Sequence, residues 1–232
     1  MSAPARVVGI IGGMGPEATV ELMRRVIART PAQDDQDHVH LIVDNNPQIP
    51  SRIAHLIERT GVDPTPELQR MARGLVSAGA QLLAMPCNTA HAYAAAVRSA
   101  VDVPLLDMVA LTAERLAVLA PRGRVGLLAS TAVIQARLYA DALYVRGCQL
   151  QLPAQQHEIM GLIRGVKRGL TGAQPQQQFA GIATGLAAEA DVLLIACTEL
   201  SILATAFNVT VPVVDSMDVL CEAIIGHAKP SR

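Results

Sequence analysis

Short runs of consecutive apolar residues alternate along this chain with longer segments whose apolar positions recur every three or four residues. The runs around Arg6-Val-Val-Gly-Ile-Ile-Gly12, Val39-His-Leu-Ile-Val-Asp44, Gln81-Leu-Leu-Ala84, Arg124-Val-Gly-Leu-Leu-Ala129 and Asp191-Val-Leu-Leu-Ile-Ala196 read as strands. Segments such as Glu67-Leu-Gln-Arg-Met-Ala-Arg-Gly-Leu-Val-Ser-Ala78 read as helices. Strands that are apolar at successive positions are expected where helices cover both faces of a parallel sheet. The pattern therefore predicts an α/β protein built from βαβ units. A last helix is expected around Asp218 to His227, and loops at Thr30 to Asp37 and at Gly169 to Gln178, the second carrying Gly, Pro and a Gln run.

The alternation occurs twice. Gly9 and Gly126 stand 117 residues apart in similar strands, Cys87 and Cys197 110 apart, and Pro104 and Pro212, each in a Val-Pro-x-x-Asp segment, 108 apart. Three matches in one order at near-constant spacing imply duplicated halves. Each half is expected to be a doubly wound parallel sheet. We place the first at residues 1–105, completed by a C-terminal helix at 216–232, and the second at 106–215.

With 232 residues, 51% hydrophobic and 17% charged, the chain can bury a large core. A net charge of −1 without like-charge blocks gives no electrostatic footprint for nucleic acid or a membrane surface, and 2% aromatic content argues against a base-stacking platform. The expected partner is a small molecule. No apolar run is long enough to span a bilayer and Met1-Ser-Ala-Pro-Ala-Arg6 does not resemble a signal peptide, so the expected location is the cytoplasm. The four cysteines include no Cys-x-x-Cys pair, so neither a zinc site nor disulfides are expected.

Cys87 and Cys197 carry the candidate chemistry. Each closes an apolar strand and precedes polar, helix-opening residues: Asn88 and Thr89 in one half, Thr198 and Glu199 in the other. That position lies at the carboxyl end of a strand, where open α/β sheets bind ligands and where a helix N-terminus favours a thiolate. A thiolate on one side of a carbon and a thiol on the other suit removal of a hydrogen from one face and its return to the opposite face. An ordinary thiol pKa of about 8.5 keeps both states within reach. The amides and hydroxyls after each cysteine offer an anion site, and they also fit plain helix caps. His91, four residues beyond Cys87, is expected at the surface or in a cap. Cys148 and Cys221 lack the strand-end context and read as core residues.

Gly13-Met-Gly15-Pro-Glu-Ala18 fits a relaxed dinucleotide pattern, but the acid ending the second strand, Asp44, falls 31 residues after Gly13 rather than about 20. A glycine turn with Pro16 opening a helix can instead bring backbone amides to a small carboxylate. Arg52 and Lys167 could each grip a second carboxylate, Arg bidentately and Lys as a point charge. No phosphate-site motif supports Lys167 as a pyridoxal anchor.

Gly12-Gly-Met-Gly-Pro-Glu-Ala-Thr19, Pro86-Cys-Asn-Thr-Ala-His91 and Ala196-Cys-Thr-Glu-Leu200 together resemble the aspartate/glutamate racemase family, most of all its aspartate racemase branch. The resemblance implies two pseudo-symmetric α/β domains with the active site in the cleft between them, racemisation without a cofactor or metal, and a homodimer. It implies Cys87 and Cys197 as the acid/base pair. It also implies substrate contacts at Met14, Asn88, Thr89, Thr131 and Thr198, with Arg52 and Lys167 holding the side-chain carboxylate. The expected activity is interconversion of L- and D-aspartate, with glutamate possible. The alternatives are a related dicarboxylate isomerase or lyase, such as a maleate isomerase in which cysteine attacks carbon, and a non-catalytic two-domain binding protein.

Overall fold

The computed structural model of the chain describes residues 5–204 and 208–229. The last three residues of the expected C-terminal segment, 230–232, lie outside them, as do residues 1–4. The chain divides into two compact units, one formed by the residues up to Met108 together with those from Leu220 onward, the other by Val109–Val219.

In the first unit, β1 (Val8–Gly12), β2 (Leu41–Asn45) and β3 (Leu82–Ala84) form a parallel sheet in the order β2-β1-β3. In the second, β4 (Arg124–Ala129), β5 (Gln149–Gln151), β6 (Val192–Ala196) and β7 (Val213–Asp215) form a parallel sheet in the order β5-β4-β6-β7. The order is the same, and so are the fastenings. Leu83 N donates to Pro104 O at 2.8 Å, and Leu193 N donates to Pro212 O at 2.9 Å. Gln81 N donates to Val7 O, and Asp191 N to Arg124 O, both at 2.8 Å. In the first unit the place of β7 is held by a single parallel bridge between Leu83 and Leu105.

Every residue of β1 and β6 is buried. Because successive side chains of a strand point to opposite faces, such strands must be covered on both. In the second sheet the alternation is visible residue by residue. Val125, Leu127, Ala129, Val192, Leu194 and Ala196 pack with Val109, Ala113 and Leu116 of α4 (Met108–Leu119) and with Tyr139 and Leu143 of α6 (Leu138–Tyr144). Their neighbours Leu128, Leu193, Ile195 and Cys197 pack on the other face, against α7 (Gln156–Val166), α8 (Ala173–Ala187) and α9 (Thr198–Leu203). The first unit has one large cluster, in which Leu68, Met71, Ala72 and Leu75 of α2 (Thr65–Ser77) meet Ile11, Leu83, Met85 and Cys87. Close approach of helix to strand explains the repeated glycines. A Cβ on Gly9 would stand 3.1 Å from the Leu75 Cβ of α2, and one on Gly126 2.9 Å from the Leu186 Cγ of α8.

Three expectations need adjustment. The loop expected at Gly169 to Gln178 is helical from Ala173, because Gln is a good helix former and Pro175 stands in the first turn, where a missing N–H costs nothing. The division between units falls after Met108 rather than at residue 105, since the backbone N–H of Met108 is held at 3.1 Å by the His91 imidazole of the first unit. The last helix, α10 (Ser216–Ala228), begins with Met217 N donating to Asp215 of β7, so its first turn groups with the second unit and the rest with the first.

Candidate active site

In each sheet the chain steps from its first strand to one side, then returns to the other. Strand order thus reverses between β1 and β3, and between β4 and β6, and the carboxyl ends of those strands are where open α/β sheets take ligands. Gly12 to Met14 and Cys87 lie at the first reversal. Ser130, Thr131 and Cys197 lie at the second.

The first reversal is built on a glycine turn. Gly13 has φ +91°, and a Cβ there would stand 2.1 Å from the Asn46 carbonyl oxygen, so only glycine fits. Its N–H donates to Thr19 Oγ1 at 2.9 Å, which occupies one amide that the sequence reading offered to a carboxylate. Helix α1 (Pro16–Arg29) then starts with proline in its first turn. The turn carries Met14 into the core beside Ile49 and Cys87. Arg52 follows, with Nη1 donating to Ile49 O and Pro50 O at 3.3 and 3.1 Å, and its Nε buried without a partner. His55 Nδ1 lies 2.7 Å from the hydroxyl of Tyr93, whose pKa is pushed up to about 12, chiefly by burial, next by Asp63, against the opposing charge of Arg52.

Cys87 is buried, and the chain beyond it turns through Asn88 into a 3-10 turn, Thr89–Tyr93, that runs into the short α3 (Ala94–Arg98). The Asn88 side chain makes no capping bond to this turn. Of the two places expected for His91, the surface or a cap, it takes the second. It is buried, its Nδ1 lies 2.9 Å from the Cys87 carbonyl oxygen, and its Nε2 lies 3.1 Å from Met108 N. Since an amide can only donate, Nε2 is the acceptor and Nδ1–H the donor. Burial holds the imidazole below its usual pKa and so neutral. It braces the backbone of Cys87 and caps α4.

At the second reversal, Ser130 accepts from Val133 N and opens α5 (Thr131–Gln135). Thr131 N points at Met160 Sδ, 3.3 Å away, a weak acceptor. Gln156 Nε2 donates to Ala129 O at 3.0 Å and to Thr131 Oγ1 at 3.4 Å, which leaves its Oε1 buried without a partner. Cys197 and Thr198 are buried at the start of α9, where Leu200 N and Ser201 N bond the Cys197 carbonyl.

The thiol of Cys197 donates to Glu199 Oε2 at 3.1 Å. The other oxygen of that carboxylate, Oε1, lies 3.4 Å from Lys167 Nζ. The expectation that a helix start favours the thiolate is therefore reversed at Cys197. Burial pushes this thiol well above its usual pKa, the Glu199 charge and hydrogen bond push it further, and the amides of Leu200 and Glu199 only partly oppose them. Lys167 already faces a carboxylate, and its half-exposed ammonium has further donors for another.

The first unit thus holds Met14, Arg52, Cys87, Asn88 and Thr89, and the second Thr131, Lys167, Cys197 and Thr198. Sequence reasoning gave no role to Gln156 and none beyond a polar turn to Glu199. The signal for Glu199 was present, an acid two residues after the cysteine in the first helical turn. That for Gln156 was not. Among the described residues no three His, Cys, Asp or Glu side chains converge as metal ligands do, and no helix is long and apolar enough to cross a membrane. A groove of about 640 Å³ between α7 and α8, lined by His157, Gly161, Arg168 and Gln178, holds none of the expected site residues.

Residues 11–224 match the Asp/Glu/Hydantoin racemase family. The chain belongs to that family. It is similar to the aspartate racemase of Picrophilus torridus, with 32% identity, a TM-score of 0.87, and coverage of 98% of this chain and 96% of that one. It is also similar to the broad specificity amino-acid racemase RacX of Bacillus subtilis, 24% identical over 94% of this chain and 96% of the relative. Glutamate racemase from Campylobacter jejuni shares the fold at a TM-score of 0.65 and 17% identity, over 94% of this chain and 84% of that one. The chain is a racemase of the kind that works without pyridoxal phosphate.

Proposed function

We propose that this racemase interconverts L- and D-aspartate, with glutamate as a second substrate, by proton transfer between the α-carbon and two thiols. One observation carries the reading. Leu83 and Leu193 are pinned alike to Pro104 and Pro212, and the residue four positions beyond each is a buried cysteine at the reversal of strand order, Cys87 and Cys197. One fold element, repeated, supplies one acid/base group twice.

In this mechanism one cysteine, as thiolate, takes the α-hydrogen from one face while the other, as thiol, delivers a proton to the opposite face. Met14, Asn88, Thr89, Thr131 and Thr198 hold the α-carboxylate and amino group, and their dipoles stabilise the carbanion character that develops. Arg52 and Lys167 hold the side-chain carboxylate, for which the unpartnered Arg52 Nε and the spare donors of Lys167 are suited. We assign the enzyme to the cytoplasm, a location that fits four buried free cysteines, and to a homodimer, as the family resemblance implies.

The test is incubation of the purified protein in D2O with L-aspartate, L-glutamate and a panel of neutral amino acids, following α-hydrogen loss by NMR together with optical rotation. Aspartate should exchange and lose rotation fastest, and Cys87→Ala or Cys197→Ala should stop racemisation. Faster turnover of neutral amino acids would favour a broader substrate range, a second reading supported by the name of the Bacillus relative and by the Glu199 carboxylate that already answers the charge of Lys167. A trapped covalent adduct on a dicarboxylate without α-exchange would favour the isomerase instead. Binding without turnover that survives Cys→Ser replacement at both positions would favour the binding protein.

A further inference from the structure

We infer that Glu199 is the proton partner of Cys197, receiving the thiol proton when this cysteine acts as base and returning it when the cysteine acts as acid, with Lys167 holding the carboxylate in place. The inference rests on the racemase reading and adds a residue to its machinery.

The geometry is a chain of three groups, Sγ of Cys197 to Oε2 of Glu199 at 3.1 Å, then Oε1 of Glu199 to Nζ of Lys167 at 3.4 Å. Glu199 is only 7% exposed, and a carboxylate so buried needs partners of this kind. Few other charges compete. Helix α8 and strand β6 carry no ionisable residue, and α7 carries His157, Glu158 and Arg164. Of these, His157 and Arg164 are exposed and Glu158 is engaged by Gln178. Asp215 of β7 is engaged by Ser201 Oγ of α9, at 2.7 Å, and by Met217 N, at 2.9 Å. Glu199 is the charge that acts on the sulfur.

In the proton step the S–H bond of Cys197 breaks and an O–H bond forms on Glu199. The pair carries one negative charge before and after, so the buried site gains no charge when the thiolate appears, and the new O–H can donate back to the sulfur. Without such a partner the proton would have to leave a buried site for solvent, and the desolvation that keeps Cys197 protonated would oppose it in full. The two thiols are therefore not equivalent. At the matching position of the first unit, two residues after Cys87, stands Thr89, which cannot take this proton.

The experiment uses Glu199→Gln, which keeps the shape and removes the charge, with two readouts. In kcat/KM for aspartate, the wild type should stay level between about pH 6 and 8. The variant should fall by about tenfold or more at the acid end and rise with pH, because its thiolate must now form by loss of a proton to solvent. In thiolate ultraviolet absorbance, measured in a Cys87→Ser background, the Cys197 step should move to lower pH by about one unit, since a like charge has been removed. Glu199→Asp, which keeps the charge but retracts it by one methylene, should lie between the two. Wild-type racemisation together with an unchanged profile and titration in both variants overturns the role of Glu199 and leaves the racemase reading standing. Absence of α-hydrogen exchange in the wild type overturns the racemase reading and the catalytic part of this inference, while the titration still decides whether Glu199 governs the thiol.

Discussion

Through one imidazole, His91 joins the backbone of Cys87 to the start of a helix seventeen residues further on: its Nε2 accepts the N–H of Met108 at 3.1 Å while Nδ1–H reaches the Cys87 carbonyl oxygen at 2.9 Å. Both bonds require the neutral ring, and burial lowers the His91 pKa. Above the ordinary histidine pKa the folded and unfolded chains are both neutral here and His91 adds no pH dependence. As pH falls below about 6.5 the unfolded chain takes up a proton that the folded one refuses, so stability is lost down to the folded pKa, by up to about 1.4 kcal/mol per pH unit. Urea unfolding from pH 7 to 5 should show this slope, and His91→Gln, which can keep one donor and one acceptor, should remove about one proton's worth of it. An unchanged slope in the variant would show that His91 is charged or solvated in the folded protein.

Gly13→Ala should be strongly destabilising. The added Cβ meets backbone atoms of Asn46, as near as 2.1 Å, at a φ of +91°. Backbone cannot step aside as a flexible side chain can. A loss of at least about 1–3 kcal/mol is expected from the strain alone, together with loss of activity because Met14 and Cys87 share the core that this turn enters. An urea midpoint equal to that of the wild type would contradict the geometry.

At neutral pH and without substrate, Cys197 should be a thiol. Replacing it by Ser should leave the thiolate absorbance at pH 7 unchanged and remove a step seen only on alkaline titration, because burial and then Glu199 raise its pKa. A drop in absorbance at pH 7 on making this change would show a resting thiolate instead.

Phe179 is fully buried in the cluster of α7, α8 and β6 that also holds Cys197. Phe179→Ala should cost about 3–5 kcal/mol and lower the thermal midpoint. If a cavity there cost less than about 1 kcal/mol, the packing around Cys197 would be looser than its contacts imply.

The sequence determined the architecture and the candidate thiols, because both are local in kind. A run of consecutive apolar residues states that both faces of a strand are covered, and the repeated Val-Pro-x-x-Asp and cysteine segments state that the arrangement occurs twice. Residues whose role depends on a distant partner could not be read that way. His91 read as a cap or a surface residue, and it does cap a helix, but its burial and its partner Met108, seventeen residues on, could not be read from its own segment. Cys197 looked like a thiolate because a helix start follows it, yet the fold buries it and sets a carboxylate against it, and desolvation with a like charge outweighs a few amide dipoles. Lys167 looked like a free grip for substrate until the fold brought Glu199 to it from thirty-two residues away in sequence. Periodicity and motif specify which residues are placed at the strand ends. Burial and the meeting of charges distant in sequence arise only when the chain is packed, and it is these that decide the protonation state on which the chemistry turns.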